Sequence, residues 1–252
     1  MEKLLEVKNL VKKYHEGTVE SKVVDNVSLE VGAGEFIIIM GASGSGKTSL
    51  LHLIVGIDAP DEGTIRYTQK VDFQHMNETA RAMFRRRNVG IVFQQQCLIP
   101  DLTVYENIML PIMLSGSKKE KDAMKDTILP LCEKFGLRDH VKKYPSQLSG
   151  GQQQRAAILR AVINRPPLLL CDEPTGSLNS AQSKIVMALL GKLNQQGQTI
   201  VLVTHDIKVA VRGKRVIYIA DGRVAGELSF TETGSVKARE VELMRFLQQR
   251  GW

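Results

Sequence analysis

The chain has 252 residues, of which 43% are hydrophobic and 24% are charged, and its 34 Lys and Arg against 27 Asp and Glu give a net charge of +7. This composition excludes disordered, collagen-like and disulfide-rich classes and predicts an ordinary globular fold. No apolar run approaches the roughly 18 residues of a membrane-spanning helix, and the charged N-terminus lacks an apolar secretory signal. We therefore expect a cytoplasmic chain that does not span a membrane alone.

Cysteine usage and basic residues restrict the possible partners. The three cysteines are odd in number and widely spaced, which fits a reducing compartment and argues against a zinc site. The positive charge is densest at 85–87, where no aromatic residues are interleaved as a nucleic-acid stacking surface would require. We interpret 85–87 as the solvated end of a helix and expect no nucleic acid partner.

Short apolar runs and helical patterns alternate along the chain. The run 36–40 ends at Gly41, and a helical pattern begins after Lys47. Further apolar runs without an alternating polar face lie at 89–93, 168–171, 199–203 and 216–219. Runs of this kind predict the buried strands of a parallel sheet that is covered by helices.

Helical patterns dominate two other parts of the chain. Between Pro100 and Arg165 the longest periodic stretches are 120–135 and 152–163, which indicate a helical insert at about 96–160. The C-terminal segment from Ser229 predicts one short amphipathic helix, because the apolar residues Val241, Leu243, Met244 and Leu247 lie among charged residues.

The most specific local chemical pattern is GASGSGKT at 41–48, which matches GxxxxGK[ST] between a predicted strand and a predicted helix. Glycines let backbone N–H groups surround a polyphosphate, and the helix N-terminus favours its negative charge. The lysine is expected to reach the outer phosphates, and the threonine hydroxyl to bind Mg²⁺. The strand and helix on either side disfavour a mere glycine turn. The predicted nucleotide-binding residues are Gly41, Ser43, Gly44, Ser45, Gly46, Lys47, Thr48 and Ser49.

Two carboxylates, Asp172 and Glu173, follow the apolar run at 168–171. A parallel sheet presents ligands to its carboxyl edge, where the phosphate loop also lies. We expect Asp172 to hold Mg²⁺ through water and Glu173 to polarise the water that attacks the γ-phosphate. Such a pair alone is more often a strand end facing solvent, but the phosphate loop favours the catalytic interpretation.

Residues 148–152 read LSGGQ and open a predicted helix, so bare N–H donors and a positive dipole end are available to an anion. This segment resembles the signature of the nucleotide-binding subunits of ABC transporters. In that family the anion is the γ-phosphate of a nucleotide bound by the opposite subunit. The resemblance therefore implies nucleotide-binding roles for Ser149, Gly150, Gly151 and Gln152.

The resemblance covers essentially the whole chain, with the remaining motifs in order. It implies that Tyr14 stacks on adenine and that Gln94, which Gln95 and Gln96 adjoin, contacts Mg²⁺ and the attacking water. It also implies that His205 bonds the γ-phosphate and orients the water together with Glu173.

One position departs from the family pattern. The family has Asp where this chain has Asn179, in a loop that approaches the opposite subunit. The loss of this charge puts communication between the two nucleotide sites in question, although hydrogen bonding can survive.

The resemblance implies an α/β fold: a P-loop NTPase (RecA-like) parallel-sheet core with an N-terminal antiparallel β region and an inserted helical subdomain. The chain would be a single ABC ATPase domain, with its core at 1–95 and 161–228, the helical subdomain at 96–160 and a C-terminal tail at 229–252. ATP and Mg²⁺ are the implied cofactors. The implied partners are a second copy in a homodimer and an integral membrane permease, which would place the protein at the cytoplasmic face of the cell membrane.

The segment 98–111, LIPDLTVYENIMLP, resembles the macrolide-exporter, lipoprotein-release and bacitracin-type peptide-resistance branch. This implies export, extraction or antimicrobial peptide resistance through the permease. The alternatives are a nutrient importer, a nucleotide-gated regulatory ATPase, and a soluble ATPase of DNA repair or translation. Soluble relatives usually carry two cassettes, a long coiled coil or zinc modules, and the sequence has one cassette, no sustained heptads and no cysteine pairs.

Overall fold

The computed structural model describes residues 2–16, 19–68, 71–73, 76–115, 118–231 and 234–252. Its strands are β1 (Lys3–Glu16), β2 (Val19–Gly32), β3 (Phe36–Met40), β4 (Glu62–Tyr67), β5 (Val71–Asp72), β6 (Val89–Val92), β7 (Leu168–Asp172), β8 (Thr199–Thr204), β9 (Arg215–Ala220) and β10 (Arg223–Ser229). Its α-helices are α1 (Lys47–Val55), α2 (Glu78–Asn88), α3 (Val104–Ser115), α4 (Lys118–Lys134), α5 (Gly150–Val162), α6 (Ser180–Gln195), α7 (Ile207–Ala210) and α8 (Val236–Gln248).

The central sheet has six strands in the order β10-β9-β3-β8-β7-β6, and all neighbouring pairs except β10 with β9 are parallel. The five predicted apolar runs are β3, β6, β7, β8 and β9. Every residue of β3, β7 and β8 is buried, as expected for strands with packed layers on both faces. β10 was not predicted, because its alternating exposure belongs to an edge strand rather than to a continuous apolar run.

A second sheet of four antiparallel strands has the order β2-β1-β4-β5. It shares a core with α1 and with one face of the central sheet, to which Ile37 and Ile39 belong. Phe36, Ile38 and Met40 alternate with them and join the core on the other face, with residues of α3, α5 and α6. The predicted α/β fold class is therefore confirmed, including its antiparallel region.

The helices α3, α4 and α5 all lie between β6 and β7. α4 corresponds to the helix predicted at 120–135. α5 begins at Gly150, two residues before the predicted start at Gln152. Ser149 is the N-cap, so both glycines of the LSGGQ segment belong to the first turn of the helix. α5 continues to Val162, so the expected C-terminal boundary of the helical insert, residue 160, lies within this helix.

The predicted C-terminal helix is present as α8. Leu243 and Leu247 are buried together with Phe246, whereas Val241 and Met244 are exposed. Positions 243, 246 and 247 share one side of a helix, and 241 and 244 point away from it. Among the described residues, no helix combines the length and the apolar character that a membrane crossing requires.

The basic run 85–87 lies in the last turn of α2, as predicted, but it is not merely solvated. Arg85 forms an ion pair with Glu78 at 2.8 Å and donates to the carbonyl of Gly56 at 2.7 Å. Arg86 donates to the carbonyl of Leu114 at 3.1 Å. These bonds tie α2 to the end of α1 and to α3.

Candidate functional site

The glycine-rich loop 41–48 connects β3 to α1, and the backbone of Gly44 and Gly46 is left-handed, with φ of 80° and 95°. Lys47 opens α1 and is only 6% exposed. Its Nζ donates to the carbonyl of Ala42 at 2.6 Å and lies 3.4 Å from Ser45 Oγ. Burial lowers the pKa of Lys47. The loop thus curls around one cation at a helix N-terminus, an arrangement that suits a phosphate chain.

Thr48 and Asp172 meet at the carboxyl edge of the sheet, as predicted. Thr48 Oγ1 donates to Asp172 Oδ1 over 3.4 Å. Burial raises the pKa of Asp172, and the neighbouring charge of Glu173 raises it further, against the effect of the Thr48 hydrogen bond. A hydroxyl and a carboxylate are hard oxygen ligands, which Mg²⁺ prefers. The buried carboxylate therefore fits a divalent cation that would stabilise its ionised form.

Removing the charge of Asp172 is expected to make the nucleotide-free protein more stable while abolishing activity. Because the folded-state pKa is raised, protonation contributes stability below the unfolded value of 3.8, and this contribution is lost as pH rises through the folded value. At pH 7 the Asp172→Asn variant should gain about 1 kcal/mol in unfolding free energy. Denaturant unfolding without nucleotide at pH 7 and at pH 4 measures the gain and its decline in acid. A variant less stable than the parent at pH 7 would contradict the electrostatic argument.

Glu173 and His205 form a bonded pair beside the phosphate loop. His205 Nδ1 donates to Glu173 Oε1 at 2.7 Å, with the imidazole 63% exposed and the carboxylate side chain 13% exposed. The backbone of Glu173 is left-handed, with φ of 46°, and its N–H donates to the carbonyl of Val203. Strained backbone of this kind is concentrated at functional sites. The pair has the composition of a general base and its orienting partner.

The loop after β6 lies against the loop after β7. A Cβ on Gly176 would stand 3.6 Å from Gln94 Nε2, which brings Gln94 beside the Glu173 turn. Gln96 takes a different role, since its Nε2 donates to Ser177 Oγ at 3.3 Å. The side chains of Gln94 and Gln96 thus have different neighbours in the loop after β7.

The signature segment faces a different part of the chain. Ser149 Oγ accepts from the N–H of Gln152 at 3.3 Å, and Gln152 Oε1 accepts from the N–H of Ser149 at 2.8 Å. A Cβ on Gly151 would stand 2.0 Å from the side chain of Gln182, so this glycine allows α5 to approach α6. No hydrogen bond or ion pair joins 148–152 to 41–48, segments that the structure describes in full. Within one chain, the two predicted phosphate-binding segments are therefore not bonded to each other in the part that the structure describes.

Asn179 has a structural role in the described chain. It is the N-cap of α6, and its Oδ1 accepts from the N–H of Gln182 at 2.9 Å. Asn and Asp cap helices about equally well, so the departure from the family pattern preserves this contact.

Tyr14 lies on β1, is 40% exposed and donates from Oη to Asp58 Oδ2 at 2.6 Å. The hydroxyl of Ser49 is near enough to lower the pKa of Tyr14, although the Asp58 hydrogen bond dominates and the pKa is raised overall. Sequence reasoning missed Asp58, because no motif marks it.

A cleft of about 540 Å³ opens beside Glu173 and His205. Four charged residues also line this cleft, and sequence reasoning missed them because they are far apart in the chain. They lie on α6, on α7, just after α7 and on α8: Lys184, Lys208, Arg212 and Glu240.

Three features lie at one edge of the parallel sheet. They are a buried lysine inside a glycine loop, a threonine hydrogen-bonded to an aspartate at a strand end, and a glutamate hydrogen-bonded to a histidine. Together they define the class of P-loop nucleoside triphosphatases. The family model described as ABC transporter matches residues 24–176. The chain belongs to the ABC transporter family, and it is an ATPase domain of that family.

Solved structures support this assignment. Two dimeric structures of MJ0796 are 40% identical to this chain and cover 90% of it and 99% of their own chain, with TM-scores of 0.80 and 0.81. The first is described as a post-hydrolysis state bound to ADP and Pi, and the second as a bacterial ABC transporter cassette. The cbiO1 protein from Clostridium perfringens, part of the ABC transporter complex cbiONQ, is 25% identical to this chain. The match covers 100% of this chain and 96% of the cbiO1 chain, with a TM-score of 0.81.

Proposed function

We propose that this ATPase domain powers a separate integral membrane permease for export, extraction or peptide and antibiotic resistance. The observation that carries the proposal is the exposure of large apolar side chains on α2 and α3, two helices that the bond from Arg86 to Leu114 holds together, next to the segment 98–111 that resembles this branch. Met83 on α2 and Met113 and Leu114 on α3 are large, apolar and exposed. Exposed apolar clusters mark protein contact sites, and a permease bound here would hold the protein at the cytoplasmic face of the membrane.

A homodimer would complete the nucleotide site. Ser149, Gly150, Gly151 and Gln152 of one subunit would bind the γ-phosphate held by the phosphate loop of the other. Two observations support this arrangement. The signature segment packs against α6 and forms no hydrogen bond with 41–48 of its own chain, where the structure describes both segments, and MJ0796 is dimeric in both solved structures.

Within each site we propose one role for each of these side chains. Lys47 would neutralise the outer phosphates of ATP, while Thr48, Asp172 and Gln94 would hold Mg²⁺, which supplies further charge neutralisation when bound. Glu173 would accept a proton from the attacking water, and His205 would keep that carboxylate and the γ-phosphate aligned. Positioning and electrostatics supply most of the rate in such a site.

Nucleotide binding would be transmitted to the permease by the helical region. ATP would close the dimer, and hydrolysis with phosphate release would reopen it. The helices α3, α4 and α5 would move about the loop that contains Gln94, because this loop joins β6 to α3 and lies beside the turn that follows Glu173.

A pull-down from membranes tests the proposal. Tagged Glu173→Gln protein with ATP would be incubated with detergent-solubilised native membranes, and the bound proteins identified by mass spectrometry. Recovery of a polytopic permease supports the transport role, and the size of its extracellular domain distinguishes the branch. Recovery of ribosomal or DNA-bound proteins without a membrane partner would overturn the transport role and leave the ATPase assignment standing. A double variant, Met113→Glu with Leu114→Glu, is the control. It should no longer recover the permease, and it should still bind ATP.

A further inference from the structure

The phenol of Tyr14 is held by a carboxylate outside every motif identified in the sequence. Asp58 lies just beyond the end of α1, and its Oδ2 accepts the 2.6 Å hydrogen bond from Tyr14 Oη. Its Oδ1 accepts a 2.8 Å hydrogen bond from Lys12 Nζ, which lies earlier on β1. One carboxylate therefore fixes two side chains of β1 at once.

The rest of this loop is bonded to the same part of β1. Lys12 Nζ also donates to the carbonyl of Ala59 at 2.8 Å. Asp61 Oδ2 accepts from the N–H of Lys13 at 2.6 Å. Asp58 is thus fixed both to β1 and, through the chain, to the helix that begins at the phosphate loop.

Charge and burial determine what remains available on the tyrosine. The Lys12 ammonium lies 5.2 Å from the centroid of the Tyr14 ring, and the lysine side chain is only 12% exposed. The Asp58 hydrogen bond raises the pKa of Tyr14. Burial works to raise the pKa of Asp58, but hydrogen bonds from Lys12 and Tyr14 lower it overall. The phenol therefore remains a donor committed to Asp58, and the exposed ring surface is what a ligand can contact.

We propose that Asp58 and Lys12 are positioning residues that hold the Tyr14 ring in place as a stacking surface for a nucleobase. This inference rests on the proposed role of Tyr14 in the nucleotide site. Every base has a π-face, so stacking on an aromatic ring contributes about 1–3 kcal/mol with little regard to base identity.

Steady-state kinetics of Asp58→Asn with ATP and with GTP test the inference, together with inhibition by tripolyphosphate, which has no base. For Asp58→Asn we expect KM to rise about fivefold with both nucleotides, because part of the stacking contact is lost. The kcat and the inhibition by tripolyphosphate should not change. Tyr14→Phe keeps the ring and removes Oη, so it should raise KM similarly, and the double variant should add little. Asp61→Asn is the matched control, because its carboxylate bonds the backbone of Lys13 and not Tyr14.

The possible outcomes separate this inference from the proposed site. If Tyr14→Ala raises KM and Asp58→Asn does not, the positioning role is wrong while the stacking role of Tyr14 stands. If Tyr14→Ala leaves KM unchanged, the assignment of Tyr14 to the nucleotide site fails. A KM rise as large in Asp61→Asn, or a weaker tripolyphosphate inhibition in Asp58→Asn, would overturn the positioning role.

Discussion

A Glu173→Gln variant is expected to bind ATP normally and to hydrolyse it at least about 100-fold more slowly, as for the loss of a general base. The amide keeps the shape of the side chain and accepts the same bond that Glu173 Oε1 accepts from His205 Nδ1 at 2.7 Å. It has no carboxylate to take the proton of the attacking water. Phosphate release measures turnover, and equilibrium binding of a fluorescent ATP analogue measures affinity. In the proposed homodimer, unhydrolysed ATP should also trap the closed pair, which light scattering detects as a doubled mass.

The matched control for this variant is Glu240→Gln. Glu240 lines the same cleft and lies on α8, away from the strand end that carries Asp172. Its neutralisation should leave turnover close to that of the parent. Normal turnover by Glu173→Gln would remove Glu173 as the base, and a monomer saturated with ATP would contradict the proposed dimer.

Gly46→Ala is expected to abolish nucleotide binding and to lower stability, because two separate requirements exclude a side chain there. The backbone of Gly46 has φ of 95°, a conformation that costs an L-residue about 1–3 kcal/mol. An added Cβ would also stand 2.1 Å from the carbonyl of Val23 on β2. Relief of this clash must move the N-terminus of α1, where Lys47 and the N–H donors lie. We expect ATP affinity to fall at least about 100-fold, which is about 2.7 kcal/mol.

Gly197→Ala separates the two causes. Gly197 shares the φ of 95°, but no heavy atom lies within 4 Å of an added Cβ, and the residue lies between α6 and β8. This control should show the backbone cost in thermal unfolding with unchanged ATP affinity. Calorimetric titration with ATP and thermal unfolding of both variants provide the comparison. Equal ATP affinity in the two variants would contradict the steric argument.

The sequence predicted the strands that build the site because their apolar runs are continuous. Strands such as β3 and β8 are buried on both faces, so nearly every position must be apolar, and this pattern is visible without a structure. The sequence did not predict β10, because an edge strand needs only one apolar face. The first turn of α5 was missed because Gly150 and Gly151 disfavour a helix locally, and the capping bonds between Ser149 and Gln152 overcome that preference.

The sequence by itself determined the phosphate loop, the acidic strand end and their order along the chain, because each depends on residues within a few positions of one another. Only the tertiary structure decided that Thr48 reaches Asp172, that His205 bonds Glu173 and that Asp58 holds Tyr14. These pairs are separated by 124, 32 and 44 positions, and no local pattern reports which residues the sheet order will bring to one edge. The first two pairs form because parallel strands end together at one edge of the sheet, whereas Asp58 reaches Tyr14 because the loop after α1 is bonded to β1. In both cases the fold makes neighbours of side chains that are distant along the chain.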